Sequence, residues 1–175
     1  MKKTSFLFFF FLITAAAQAQ KKQLFTGQIS AGANIMAYDR FIDFTKAGAG
    51  AGLQLGYTLH PKLKAQFDIT GSMFSVNKIL FVFENGQTAG PAQFVLTTMA
   101  GLVYKPFKSV ETVLAAGPSF LGGGVYAGIK LYLGYYFGKN ETVKAYASLT
   151  HVFEKNSISK KNMGFISFGL ALKIL

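Results

Sequence analysis

The sequence predicts an all-β protein, an eight-stranded antiparallel transmembrane β-barrel whose N- and C-termini both lie in the periplasm. From residue 25 onward, apolar residues alternate with polar or small residues at period two, and helical periodicity is almost absent. The alternating runs are about 10 to 14 residues long, which suits a tilted membrane strand of about 9 to 11 residues better than a globular strand of about 5 or 6. Longer and shorter connections mostly alternate, as they do in outer-membrane barrels.

The first segment is expected to lie outside this fold. Lys2 and Lys3 precede an apolar run over residues 6–17, and Ala17-Gln18-Ala19 matches a small-x-small cleavage site. The apolar run is too short for a membrane-spanning helix, which needs roughly 20 residues. We therefore expect residues 1–19 to be a signal peptide and residues 20–175 to be the outer-membrane β-barrel domain, with Gln20 as its first residue.

The predicted strands follow one another with little interruption. They cover residues 25–35, 47–59, 63–73, 93–104, 110–120, 125–137, 143–153 and 166–174. The run at 110–120 is the least regular, and Pro118 lies near its end. The short connections at 60–62, 105–109 and 138–141 are assigned to the periplasm, and the connections at 38–46, 75–91, 121–124 and 154–162 to the outside.

The two faces of each strand differ in chemistry. Lipid cannot hydrogen-bond the backbone, so a spanning sheet must close, with its apolar face outward. Leu53, Leu131 and Leu170 are therefore predicted to face lipid. Gln54, Lys130 and Ser167 are predicted to face the interior. Interfacial aromatic residues are expected near the periplasmic end (Tyr57, Tyr104, Phe107, Tyr135 and Phe137) and near the outer end (Tyr38, Phe41, Phe44, Phe74 and Phe153).

A soluble eight-stranded barrel is the alternative architecture. Such a barrel would have an apolar interior and a charged outer surface. The polar face here is rich in glycine and carries few charges, which makes it a poor surface for contact with water. The membrane barrel is therefore favoured.

Composition removes several classes of function. The chain has 175 residues, of which 51% are hydrophobic and 14% charged, and this excludes a disordered protein. No cysteine is present, which excludes disulfides, thiolate metal sites and cysteine nucleophiles. The net charge of +11 comes mostly from lysines, which are spread along the chain without a basic stripe, so we expect no nucleic-acid partner. No metal-ligand cluster stands out, and we expect no metal, cofactor or catalytic residue.

The chain as a whole resembles a known group of proteins. The alternation, the Ala-Gln-Ala-Gln sequence at residues 17–20 and the Leu59-His60-Pro61-Lys62-Leu63 turn resemble small outer-membrane β-barrel proteins of the OmpX/OmpA type, especially the barrel-domain proteins common in Bacteroidetes. Such proteins commonly end in an outward-facing aromatic residue that resembles a signal for the barrel assembly machinery. Here the outward phase ends at Ile174 and is followed by Leu175. The resemblance implies an outer-membrane location and assembly by that machinery.

Inward-facing charges are the first candidate site. Asp68 is the only acid on the inward face of the third strand, and it can neutralise Lys64, Lys130 or Lys144. Ion pairing is the usual way in which a narrow barrel satisfies buried charges. We therefore predict a polar network of Lys64, Asp68, Lys130 and Lys144 that closes the lumen to freely diffusing solutes.

The two histidines are weak candidates for chemistry. His60 lies in a tight turn beside Pro61, whereas His151 falls on the lipid-facing phase near the outer surface. The position of His151 is similar to that of a histidine that lipid A deacylases, also eight-stranded barrels, use in a His-x-Ser arrangement. A histidine can activate a neighbouring hydroxyl, but Phe153 stands two residues on, and Ser157 and Ser159 do not restore the spacing. We therefore expect His151 to lie among lipid headgroups.

The leading functional hypothesis is a non-enzymatic outer-membrane barrel that contributes to envelope structure or to surface interaction through its loops. Transport of a small solute through the barrel is the alternative, and a lipid A-modifying hydrolase is a further one. Lys155, Lys160 and Lys161 cluster in the last outer connection and are candidates for contact with lipopolysaccharide phosphates. We expect a monomer whose partners are outer-membrane lipid, lipopolysaccharide and the barrel assembly machinery.

Overall fold

The computed structural model describes residues 24–38, 45–76, 92–121, 124–138, 140–153 and 163–175. The strands are β1 Phe25–Tyr38, β2 Thr45–His60, β3 Leu63–Val76, β4 Ala92–Phe107, β5 Val110–Leu121, β6 Gly124–Phe137, β7 Val143–Phe153 and β8 Met163–Lys173. Each strand pairs antiparallel with the next, and β1 pairs with β8, so the sheet is a closed eight-stranded barrel. The predicted closed, eight-stranded antiparallel barrel is confirmed. Within these ranges, no helix is long and apolar enough to cross a membrane.

The strands extend further than the alternation alone predicts. Pairing carries β4 past Pro106 to Phe107, and β8 begins at Met163, before the predicted start at Ile166. The β4–β5 register shifts between Tyr104 and Phe107, so Pro106 lies at an irregularity where a missing backbone donor is tolerated. Backbone pairing thus continues beyond the residues whose side chains alternate regularly.

The two ends of the barrel differ in their connections. The turns β2–β3, β4–β5 and β6–β7 lie at one end, which we call the turn end, and the opposite end is the loop end. Leu24 and Leu175 also lie at the turn end, because Leu24 accepts a hydrogen bond from Thr58 and Leu175 contacts the backbone of Gly27. Both ends of the described chain are therefore on the same side of the barrel.

The apolar face points outward, as the alternation predicts. Leu131 and Leu170 are 53% and 56% exposed, whereas the inward-facing Lys130 and Ser167 are each 6% exposed. Every strand contributes large apolar side chains to the exposed face, for example Ile29, Leu55, Phe67, Leu102, Leu114, Leu133, Leu149 and Leu172. This arrangement is the reverse of a soluble barrel, so the alternative architecture is rejected.

A β-bulge changes the facing at the end of β1. The β1–β8 register shifts between Met36 and Tyr38, and the extra residue reverses the alternation. Met36 remains in the lumen at 5% exposure, and Tyr38, two positions later, lies on the outer face at 38% exposure. Tyr38 therefore occupies the outer surface where an interfacial aromatic residue was expected.

Phe74 does not lie where the sequence pattern placed it. It was expected among the interfacial aromatic residues, but it is fully buried in the lumen, with its ring 5.2 Å from that of Phe165. Phe74 lies an even number of residues from the inward-facing Asp68 and Ser72 on β3, so the alternation places its side chain in the lumen. Its aromatic character alone led to the interfacial assignment. Phe74 belongs to an apolar cluster at the loop end of the lumen, here called the apolar plug, formed by Met36, Phe74, Val95, Leu121, Val152, Met163 and Phe165.

Candidate functional site in the barrel lumen

The lumen contains three layers along its axis. The apolar plug fills the loop end, and small polar side chains such as Ser30, Asn34 and Ser148 line the middle. Charged side chains fill the half nearer the turn end. An eight-stranded barrel has an interior just wide enough for side chains to fill it. A second apolar cluster, formed by Met99, Val103, Val113, Ala115 and Tyr132, fills the side of the lumen lined by β4–β6.

The first ion pair joins strands on opposite walls. Lys130 Nζ on β6 donates to Asp68 Oδ1 on β3 at 2.8 Å and to Thr70 Oγ1 at 3.0 Å. Thr70 also donates to Asp68 Oδ1 at 2.8 Å, and Gln54 Nε2 donates to Asp68 Oδ2 at 3.1 Å. Both oxygens of the buried carboxylate are therefore satisfied, as a charge removed from water requires.

The second ion pair is more deeply buried. Lys144 Nζ on β7 donates to Glu111 Oε1 on β5 at 2.5 Å, with the two side chains 1% and 3% exposed. Tyr136 OH donates to Glu111 Oε2 at 2.8 Å and accepts from Gln28 Nε2 at 2.8 Å. Because Lys144 also donates to Gln28 Oε1 at 2.5 Å, these four side chains form a closed ring of hydrogen bonds.

Gln54 links the two ion pairs. Its Oε1 accepts from Lys144 Nζ at 3.2 Å, while its Nε2 donates to Asp68. The resulting network crosses the lumen and joins β1, β2, β3, β5, β6 and β7. A network in which all four charges are paired and both carboxylates are hydrogen-bonded is rigid, so it acts as a fixed barrier within the described barrel.

The structure brings three of the four predicted network residues together and separates the fourth. Asp68 and Lys130 are bonded directly, and Lys144 reaches Asp68 through Gln54. Lys64 is half-buried nearer the turn end and forms no ion pair with an acidic side chain of the described ranges. Lys64 and Asp68 share the inward face of β3, but they are four residues apart and so lie at different heights in the lumen.

Sequence reasoning missed Glu111, the partner of Lys144. Glu111 lies on β5, where Val113 and Ala115 are also inward and buried, so both faces of the strand are apolar and the phase is hard to read. Gln28 and Gln54 were on the inward phase but were not assigned to the network. Their opposition across the β1–β2 ladder was the available signal, since facing amides can share a buried charge.

A small cavity lies between the ionic network and the apolar plug. Its volume is about 10 Å³ as space open to the centre of a water molecule, which is near the minimum that one water requires. Asn34 Nδ2, Tyr132 OH and Ser148 Oγ line it without a hydrogen-bond partner among the described residues. The cavity is too small for an organic solute.

His151 lies on the outer face at the loop end, in contact with Tyr38. Its Nδ1 is hydrogen-bonded to the Tyr38 hydroxyl, and its ring packs against Phe153 with centroids 4.3 Å apart. Gly164 pairs with Tyr38 on one side and with His151 on the other. A β-carbon at Gly164 would overlap the Tyr38 ring, so this glycine allows the tyrosine to reach across β8.

The remaining candidates carry no further chemistry in the described structure. His60 Nδ1 accepts a hydrogen bond from the Lys62 backbone in the β2–β3 turn. Lys155, Lys160 and Lys161, like Ser157 and Ser159, lie outside the described residues. Among the residues that the structure describes, no group of three or more histidine or acidic side chains could hold a metal ion.

Comparison with known proteins shows the fold. No family model and no curated protein sequence matches this chain. The outer-membrane protein Ail of Yersinia pestis in a phospholipid bilayer nanodisc is similar, with a TM-score of 0.57 and 12% identity over 85% of this chain and 99% of that one. Neisserial surface protein A gives 0.52 and 14% over 86% and 97%. The N-terminal β-barrel domain of Pseudomonas aeruginosa OprF gives 0.51 and 15% over 85% and 97%.

Proposed function

We propose that this chain is an integral outer-membrane β-barrel protein that acts without catalysis, in envelope structure or in surface interaction through its loop end. The observation that supports this most strongly is the belt of large apolar side chains on all eight outer faces of a closed barrel. Soluble monomers rarely expose apolar patches larger than a few hundred Å². A closed sheet also meets the requirement that all backbone groups in lipid be paired internally.

The proposed topology places the turn end in the periplasm. Short turns characterise the periplasmic side of outer-membrane barrels, and the turns at the turn end join strands over only two to five residues, as in Pro61–Lys62 between β2 and β3. Residues 1–19 would act as the signal peptide and be removed after export. The barrel assembly machinery would then insert residues 20–175 as a monomer.

The lumen argues against solute transport. The ionic network and the apolar plug both cross it, and the cavity between them has the volume of about one water. A diffusing solute would have to break two buried ion pairs, each of which is expensive to disrupt. Function is therefore assigned to the surface of the barrel and not to its interior.

The outer face argues against the hydrolase alternative. His151 Nδ1 is engaged by Tyr38, and the neighbour two residues on is Phe153, whose ring packs against the imidazole. A general base needs a hydroxyl nucleophile within hydrogen-bond reach, and Tyr38 is the hydroxyl that occupies this position. The pair fits an interfacial anchor better than a catalytic dyad.

Cell fractionation tests the location. The protein expressed with its native N-terminus should fractionate with outer membranes, begin at Gln20 and resist extraction by alkaline carbonate. N-terminal sequencing and electrophoresis of heated and unheated samples provide the measurements. A soluble protein that retains Met1 would contradict both the export and the membrane assignment.

Lipopolysaccharide contact is a second, separately testable part of the proposal. The variant Lys155→Gln/Lys160→Gln/Lys161→Gln should retain less lipopolysaccharide during purification, since cationic side chains attract anionic headgroups. A matched variant, Lys62→Gln/Lys108→Gln/Lys139→Gln, removes the same charge from the turns between strands and should retain the normal amount. Equal loss in both variants would assign the effect to net charge.

A further inference from the structure

The turn end of the lumen has more positive than negative side chains. Lys64 lies on the same face of β3 as the buried Asp68, and Lys173 lies on the same face of β8 as the buried Ala171. The ammonium group of Lys105, on β4, lies 4.2 Å from the centroid of the Tyr136 ring. Lys64 pairs with Val103 across the β3–β4 ladder, so Lys105 is its diagonal neighbour, and Lys173 pairs with Gln28 across the β1–β8 ladder. We call these three lysines, together with Glu141, the basic mouth.

Only one of these charges is neutralised by a neighbouring side chain. Lys105 Nζ pairs with Glu141 Oε2 at 2.6 Å. Glu111 is committed to Lys144 in the layer below, through an ion pair at 2.5 Å. Within the described ranges, Lys64 and Lys173 form no ion pair with an acidic side chain, so lysines outnumber the acidic side chains that pair with them at this end of the lumen.

The floor beneath the mouth is rigid and polar. Tyr136, on which Lys105 rests, donates its hydroxyl to Glu111 and accepts from Gln28. A group that enters from the turn end therefore meets a closed network and stops there. The basic mouth therefore lies above a bonded network that crosses the lumen.

We propose that the basic mouth binds a phosphate group, presented either as a free anion or as a phospholipid headgroup. Lysine is a common phosphate ligand that acts as a point charge, and the several oxygens of a phosphate can accept from more than one ammonium group. Lys64 and Lys105 lie on the neighbouring strands β3 and β4, and Lys173 lies on β8, three strands from β3, so an anion at this end could contact lysines from two sides of the lumen. This inference does not depend on the proposed function, because it concerns side chains that the folded barrel holds at its turn end.

The test uses barrel refolded in dodecyl maltoside, a detergent without phosphate. Sodium phosphate is titrated at constant ionic strength while the backbone amide signals of residues 64 and 173 are followed by NMR. Saturable shifts are expected, and Lys64→Gln/Lys173→Gln should weaken binding about tenfold or more, since it removes both unpaired charges from the recess. A second arm replaces phosphate with short-chain phosphatidylglycerol, and binding in only that arm would identify the headgroup as the source.

The matched control is Lys62→Gln/Lys108→Gln, which removes two exposed lysines from the turns at the same end. It should change the affinity less than about twofold, and heat-dependent electrophoretic mobility shows that each variant is folded. If the paired variant does not fold, the single variants Lys64→Gln and Lys173→Gln replace it and should each weaken binding. No saturable shift in either arm, or equal loss in the two double variants, would overturn the proposal.

Discussion

At the scale of single residues, Lys144 shows how the lumen holds a charge away from water. Its ammonium group donates to Glu111, Gln28 and Gln54, which uses all three of its protons. The same group lies 4.7 Å from the centroid of the Tyr132 ring, so a cation–π contact covers its remaining side. The position therefore accepts a charged lysine only because every neighbour complements it.

Breaking this ion pair should be strongly destabilising. Glu111→Gln leaves the ammonium of Lys144 buried without its counter-charge, and we expect a loss of about 3–5 kcal/mol in the free energy of unfolding. Denaturant unfolding in lipid vesicles measures it. Glu141→Gln is the control, because the Lys105–Glu141 pair is more exposed and should contribute at most about 1 kcal/mol. Similar losses in the two variants would show that burial does not govern the network.

Gly164 should be sensitive to the smallest added side chain. Gly164→Ala would push the Tyr38 ring away from β8 and separate its hydroxyl from His151, at a cost of about 1–3 kcal/mol. Imidazole nitrogen NMR of His151 reports the loss of the hydrogen bond. Gly71→Ala is the control, since its β-carbon would meet only the edge of Phe94 at 3.3 Å. An unchanged His151 signal in Gly164→Ala would exclude this role for the glycine.

At the scale of a strand, β6 offers a direct test of the lipid-facing surface. Leu131→Lys should lower the free energy of unfolding by about 2–4 kcal/mol, because a charge at the bilayer midplane loses its hydration. Val125→Lys lies on the same face near the loop end and should cost about 0–1 kcal/mol. Unfolding in vesicles compares the two variants. Equal costs would mean that β6 does not cross the bilayer along its whole length.

The strands could be predicted from sequence to the extent that their two faces differ. On β6, large apolar residues alternate with Lys130, Tyr132 and Gly134, and both the bounds and the facing follow from that contrast. On β5, the inward Val113 and Ala115 resemble the outward Leu114 and Ala116, so the strand was recognised but Glu111 was not assigned to the lumen.

The apolar plug and the pairing of the buried charges could not be predicted from the sequence, for a different reason. Phe74 has the inward parity, but an aromatic residue near a strand end is equally typical of a membrane interface. Which lysine reaches Asp68 depends on the stagger between distant strands, and alternation contains no information on that stagger. Membership of the network was therefore predictable for Asp68, Lys130 and Lys144, whereas the pairing of Lys144 with Glu111 required the closed barrel.

At the scale of the whole molecule, the filled lumen predicts that the barrel does not conduct ions steadily. Protein reconstituted in planar bilayers should show no steady conductance of the size that solutes need, because two buried ion pairs and the apolar plug lie in series. A sixteen-stranded porin, which keeps an aqueous channel, is the positive control under the same conditions. Steady channels that disappear on charge reversal at Asp68 or Lys130 would refute the closed lumen and favour the transport hypothesis.

The seam between β1 and β8 has a consequence for how the chain folds. Every other neighbouring pair of strands is consecutive in the chain, whereas this seam joins residues such as Gln28 and Lys173 from its two extremities. Pairing residues so far apart in the chain raises the contact order, and topologies of high contact order fold slowly. Until β8 docks, β1 and β7 each present an unpaired edge, which is a template for aggregation. Aggregation through these edges is therefore prevented only when β8 pairs with both of them. A chaperone would protect this chain most effectively by covering β1 until β8 has been synthesised.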